Sequence, residues 1–325
     1  MTKTNLITGF LGSGKTTTIQ HLLRQKPANE NWAILVNEFG EIGIDGTLLS
    51  NQGATLKEIP GGCMCCVNGL PMPVGLNMLL KQAKPDRLLI EPTGLGHPKQ
   101  ILSLLTSEFY QPLLDLRATL CLVDARQLQQ QRYYENENFR DQLASADIIL
   151  ASKSDTYTEH DTAAFIQWHQ NNALSRPYYL IEQGNVPTEI LDNPRLNLQE
   201  LPDGTHHHHV QKNGLAALSL PGGQGWRRAL NQGQGYFSCG WIFEPETCFS
   251  TGALLDWVRL SPVERVKGIM RIPEGTMVFN RQGLDLKIET QPVAPVDSRV
   301  ELIHSAEAPW NHLQLELLKA RINKS

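Results

Sequence analysis

The chain has 325 residues, 41% hydrophobic and 19% charged, with a formal net charge of −4. That is too long for one ordinary core and too apolar for a disordered chain, so it reads as two globular domains. A near-neutral balance without a dense Lys/Arg run excludes a nucleic-acid surface, and no apolar stretch reaches the roughly 18 residues of a membrane span.

The first residues lack the apolar core of a signal peptide, so the expected compartment is the cytoplasm, where thiols stay reduced. The first strand is expected at 5–9. It runs into Gly9-Phe10-Leu11-Gly12-Ser13-Gly14-Lys15-Thr16, which fits G-x-x-x-x-G-K-[ST]. Glycines let backbone N–H groups converge on phosphate oxygens, Lys15 supplies a mobile cation, and the Thr16 hydroxyl is a magnesium ligand by type. A helix is expected at 15–24 and a strand at 33–39. The acids that follow, Glu38, Glu41 and Asp45, are candidates for magnesium, metal or water-positioning roles.

Next comes Gly61-Gly62-Cys63-Met64-Cys65-Cys66. Six cysteines in a reducing compartment need another purpose than disulfides, and three crowded thiolates suit zinc, copper(I) or another soft ion. Three ligands leave a four-coordinate ion one short, which suits exchange better than a closed structural site.

A helix is expected at 70–82 and an apolar strand at 87–91, closed by Glu91-Pro92-Thr93-Gly94. Glu91 stands where an acid reaches magnesium, and the Gly94 N–H where a γ-phosphate is sensed. His97 is a weaker ligand candidate. After a helix at 99–105 and strands at 118–124 and 147–151 comes Ser152-Lys153-Ser154-Asp155. Here the acceptor-only Asp155 carboxylate suits the paired N1–H and 2-amino donors of guanine, with the Lys153 stem across the base face. Serine at 152 removes an amide that would help fix that loop. A helix at 161–171 and a strand at 178–181 complete the alternation, which implies a parallel sheet sandwiched by helices.

A polar stretch rich in Pro and Gly then carries His206, His207, His208 and His209, and reads as a linker that can collect metal. Strands are expected at 214–220, 235–243, 263–272, 276–280, 286–290 and 299–304, with helices at 251–259 and 309–322. That describes a small α+β domain. Its Trp226, Trp241 and Trp257 build a core or a client-facing surface, and Cys121, Cys239 and Cys248 read as packing. The expected division is 1–184, a histidine-containing linker at 185–213, and 214–325.

The phosphate loop, Asn37-Glu38-Phe39-Gly40, the thiol cluster, Glu91 to Gly94, the near-match at 152–155 and Val263-Glu264-Arg265-Val266-Lys267-Gly268 together resemble the CobW family of P-loop GTPases. The resemblance implies a SIMIBI-like GTPase fold that converts GTP and water to GDP and phosphate with Mg²⁺. It also implies that Zn²⁺ held by Cys63, Cys65 and Cys66 passes to a client metalloprotein after hydrolysis. No nucleic-acid or membrane partner is expected, and a homo-oligomer stays open. Two other classes fit some residues: a P-loop small-molecule kinase with structural cysteines, and a metal buffer with a vestigial nucleotide site.

Overall fold

A computed structural model describes residues 1–37, 54–59, 71–94, 97–130, 133, 136–173, 175–196, 225–233, 235–295 and 297–322. The described residues fall into two compact units, one ending at 196 and the other beginning at 225.

The first unit is a parallel sheet. Its strands are β1 (Thr2–Gly9), β2 (Trp32–Asn37), β3 (Thr55–Ile59), β4 (Arg87–Glu91), β5 (Leu114–Leu116), β6 (Leu120–Val123), β7 (Ile148–Ser152) and β8 (Tyr178–Ile181). They run in the order β3-β2-β4-β1-β6-β7-β8, with β5 paired to β1. The helices are α1 (Lys15–Arg24), α2 (Pro71–Ala83), α3 (Pro98–Leu105), α4 (Ala125–Leu128), α5 (Glu137–Ala144) and α6 (Glu159–Asn172).

Successive strand residues face opposite layers. Leu6, Leu35, Leu88 and Ile90 pack with Met72, Leu76 and Leu79 of α2 and with Ile101, Leu102 and Leu105 of α3. Ile7, Ile34, Leu89 and Leu150 pack with Ile19, Leu22 and Leu23 of α1. Each fully buried aliphatic side chain contributes about 1.5–3 kcal/mol, so strands covered on both faces are the strongest elements. Because β1 lies between β4 and β6, the strand order reverses there. The C-terminal ends of these three strands form the crevice where open α/β sheets bind ligands.

The first unit runs past the expected boundary at 184. A short 3₁₀ turn, Thr188–Asp192, inserts Ile190 and Leu191 into the α1-side core beside Val186. The Asn5 side chain donates to Leu191 O at 3.1 Å, and Arg87 pairs with Asp192 at 2.7 Å. A polar, proline-rich stretch can thus belong to a core when a few apolar residues reach it, and here that holds as far as 196.

The second unit is a six-stranded antiparallel sheet, in the order β13-β12-β11-β14-β10-β9. Its strands are β9 (Trp226–Gly233), β10 (Tyr236–Phe243), β11 (Arg265–Ile272), β12 (Gly275–Gln282), β13 (Asp285–Gln291) and β14 (Ser298–His304). Two helices, α7 (Thr251–Leu260) and α8 (Trp310–Lys319), cover one face. Trp241 and Phe243 of β10 meet Leu254, Trp257 and Val258 of α7 and Leu313 and Leu317 of α8 there. Trp226 packs at the margin of this core. A Cβ on Gly268 would lie 2.4 Å from the Phe279 ring, so the glycine of the 263–268 segment makes room for that aromatic. The strand expected at 214–220 lies outside the described residues.

Candidate nucleotide-binding site

The phosphate loop joins β1 to α1. Its glycines all take positive φ: 145° at Gly9, 71° at Gly12 and 95° at Gly14. At Gly9 a side chain has no room either, because a Cβ would sit 2.5 Å from Leu122 O and 2.6 Å from Ser13 Oγ. Gly14 is the N-cap of α1 and offers no side-chain acceptor. By contrast α5 and α6 are capped by Asn136 and Thr158. The first turn of α1 therefore keeps N–H groups and a positive dipole end for an anion. Phe10 anchors the loop from beneath, with its ring 5.5 Å from Tyr133 and 5.7 Å from Phe139 in edge-on contacts.

Lys15 is buried, and its Nζ donates to Gly9 O at 2.8 Å and Phe10 O at 3.2 Å. The ammonium is thus held inside the curl of the loop. Thr16 Oγ1 donates to Glu91 Oε1 at 2.9 Å, across from the end of β4. These two oxygen donors, one hydroxyl and one carboxylate, have the hardness and proximity that Mg²⁺ requires. Gly94 lies against the same loop, where a Cβ would stand 2.9 Å from Leu11 N. Its carbonyl accepts from the buried Gln142 amide at 2.9 Å, so α5 grips this segment directly. His97, a ligand candidate, has Nδ1 3.0 Å from Asp141 Oδ2.

The second cluster sits at the ends of β6 and β7. Lys153 takes a left-handed φ of 61°, and its Nζ lies 3.5 Å from Asp124 Oδ2. Asp124 also accepts from Arg126 Nε at 2.9 Å and Nη2 at 2.7 Å. Ser152 is buried, and its hydroxyl donates to Val123 O at 3.4 Å. The firmer tie is Tyr157, whose hydroxyl donates to Ser152 O at 2.5 Å and accepts from Ala125 N–H at 2.8 Å. Burial pushes that phenol well above its ordinary value, which keeps it a donor. The shorter and stronger strut between the two strand ends therefore comes from Tyr157, beside the long serine bond. Asp155 stays exposed, with Oδ2 accepting from Gln183 Nε2 at 2.8 Å.

A model of the CobW/HypB/UreG nucleotide-binding domain matches residues 3–176, the span that carries both clusters. This chain belongs to the CobW/HypB/UreG family. Among its relatives, the zinc chaperone YeiR of Escherichia coli K12 is 65% identical over 99% of both chains. The zinc chaperone CobW of Pseudomonas aeruginosa is 30% identical over 63% of each, and the zinc chaperone YjiA of E. coli K12 is 32% identical over 58% of this chain and 60% of its own.

For a CobW-family protein the thiols divide sharply. Cys63, Cys65 and Cys66, and with them Glu38, Glu41, Asp45 and His206 to His209, lie outside the described residues. Among the described residues no group of three or more His, Cys, Asp or Glu side chains is placed to hold a metal. Cys121 and Cys239 are buried, and burial pushes both thiols up to about 12. They are packing residues, inert as thiolates at neutral pH. Among the described residues no helix is long and apolar enough to cross a membrane.

Gln142, Asp124, Tyr157 and Gln183 escaped the sequence reading. Only Asp124 left a trace there, as an acid closing an apolar strand.

Proposed function

We propose that this chain is a zinc chaperone in which GTP turnover controls the release of zinc to a client metalloprotein. The enzyme is a GTPase that converts GTP and water to GDP and phosphate. The observation that carries the reading is the 2.9 Å contact between Thr16 Oγ1 and Glu91 Oε1 at the foot of an α1 whose N-terminus no side chain caps. Triphosphate would lie across the backbone N–H groups of residues 9–16, with the Lys15 ammonium turning from its loop carbonyls to the β- and γ-phosphates. Thr16 and Glu91 would hold Mg²⁺, which neutralises phosphate charge when bound. Gly94 would report the γ-phosphate. Asp155 would accept from the guanine edge, with Lys153 along the base face and Ser152 beneath. Asp45 would orient the attacking water. Cys63, Cys65 and Cys66 would carry the zinc as cargo, with Glu38 as an added ligand. The name zinc chaperone carried by YeiR, at 65% identity over the full chain, supports this choice of metal.

Hydrolysis of GTP and ATP, with and without zinc, tests the reading in wild type and Cys66→Ala. GTP should be preferred, and zinc should alter the rate in wild type but not in the variant. Preference for ATP would favour a kinase. Equal zinc dissociation constants in apo, GDP-loaded and GTP-analogue-loaded protein would leave a metal buffer.

A further inference from the structure

The turn after β8 is built in a way that its own stability does not require. Gln183 and Gly184 take successive left-handed conformations, with φ of 49° and 77°. A glutamine there carries backbone strain that a glycine would avoid. The turn is nonetheless fixed tightly. Asn185 N–H bonds to Glu182 O at 2.8 Å, and Gln25, the C-cap of α1, donates its amide to Val186 O at 3.0 Å. Gly184 rests directly on the first turn of α1, where a Cβ would stand 2.8 Å from Thr18 N and 2.9 Å from Thr17 O. This strained, bolted turn delivers a side-chain contact to the base site, the 2.8 Å bond from Gln183 Nε2 to Asp155 Oδ2.

Both partners are exposed, and an exposed hydrogen bond adds little to folding. Its geometric effect is larger. Asp155 lies in a single 3₁₀ turn, Ser154–Thr156, and an exposed carboxylate there rotates freely about its terminal torsion. One amide bound to one oxygen fixes that plane, and each carboxylate oxygen still has a lone pair for a ligand. Serine at 152, with its hydroxyl spent on Val123 O, does nothing for Asp155. We propose that Gln183 is the specificity-determining positioning residue of the base site. Its amide holds the Asp155 carboxylate in the one orientation that accepts the N1–H and 2-amino donors of guanine together. This rests on the guanine reading above, and adds that the preference is set from the turn after β8, registered to the phosphate loop through α1.

Calorimetry on the full-length protein with Mg²⁺ tests the idea through the ratio of affinities for GDP and IDP, which differ only by the 2-amino group. Wild type should favour GDP by about tenfold, the loss expected for one hydrogen bond to a charged acceptor. In Gln183→Ala the ratio should fall to about threefold. In Gln183→Glu, where two carboxylates face each other, it should fall to near unity, with thermal midpoints unchanged in both. An unchanged or larger ratio in Gln183→Ala overturns the proposal. Asp155→Asn separates that failure from failure of the guanine reading. A swap of its preference from GDP to XDP keeps the guanine reading standing, whereas no swap, together with equal GDP and ADP affinity in wild type, removes both.

Discussion

The two units treat buried charge in opposite ways. In the first, buried ions are enclosed by partners. Arg87 donates to Asn5 Oδ1 at 3.0 Å and to Asp192 at 2.7 Å. Asp147 accepts the backbone N–H groups of Thr119 at 2.7 Å and Leu196 at 2.9 Å. In the second, Glu301 on β14 stands opposite Gly240 of β10 and Lys267 of β11, on the sheet face turned away from α7 and α8. Burial pushes its carboxyl up to about 8, and Arg265, Lys267 and a hydrogen bond with Ser238 offset only part of that. A buried carboxylate either gathers enough donors to keep its charge or gives the charge up. A nucleotide site needs the first solution, because its charges must stand ready for a ligand.

The largest effect follows from Glu301. Its folded value of about 8 lies above the ordinary 4.5, so its contribution to stability is complete below about pH 4.5 and is lost as pH rises through about 8. A displacement of that size is worth on the order of 5 kcal/mol. Glu301→Gln should flatten the fall in stability of the second unit over this window and raise its thermal midpoint at pH 8. Parallel pH curves for variant and wild type would break the comparison. Next in size, Trp241→Ala removes a fully buried ring from the α7–α8 core and should cost about 3–5 kcal/mol. GDP affinity should stay near wild type, and a fall in that affinity would show that the units do not stand apart in this way.

Lys15→Ala takes away the cation inside the loop. It should weaken GDP and GTP binding by about a hundredfold, as loss of a charged hydrogen bond to phosphate implies. Calorimetry checks it, and near-normal affinity would dissociate the loop from nucleotide. Smaller again is Tyr157→Phe, which strips partners from Ala125 N–H and Ser152 O. About 2 kcal/mol of stability should go, read as a shift in denaturant midpoint, with a larger proportional loss of GDP than of inorganic phosphate affinity.

These two positions mark what the sequence could and could not tell. The phosphate loop was legible because its glycines, lysine and threonine are fixed by spacing, and helix α1 was expected at the bounds observed, Lys15–Arg24. The position of Glu91 was legible because β4 carries a buried apolar run, Leu88, Leu89 and Ile90, and ends on it. Tyr157 was not, since an isolated tyrosine after a loop has no signature, and its role exists only once β6 and β7 lie side by side. Two of the four edge strands escaped for another reason, whereas β8 and β13 were expected at 178–181 and 286–290. β3, TLKEI, and β9, WRRALNQG, each end a sheet. An edge strand is half solvated and carries charge against aggregation, which erases the apolar run that reveals a central strand. α5, ENFRDQLA, was missed for its polarity, although it holds both the Gly94 segment and Phe10.

The smallest effect reverses the sign of the first. Asp141 bridges α5 to α3, accepting from His97 and from Lys99 at 3.0 Å each. The His97 hydrogen bond is the chief cause holding its carboxyl below the ordinary 3.8, with Lys99 adding to it against the burial that raises it. A depressed carboxyl contributes stability that is present above the ordinary value and is lost as pH falls through the folded one. His97→Ala should therefore cost about 0.5 kcal/mol near neutrality, the size of a partly exposed pair, and shallow the acid-side loss below pH 3.8. Lys99 still pairs with Asp141, so the acid limb should shrink and not vanish. Acid would then act on the two units with opposite sign, weakening the first through Asp141 and strengthening the second through Glu301. Unfolding curves of the His97→Ala and Glu301→Gln double variant should show both pH slopes reduced independently, because the two groups belong to separate cores. A single shared slope that either substitution removes would instead mean that the units unfold as one.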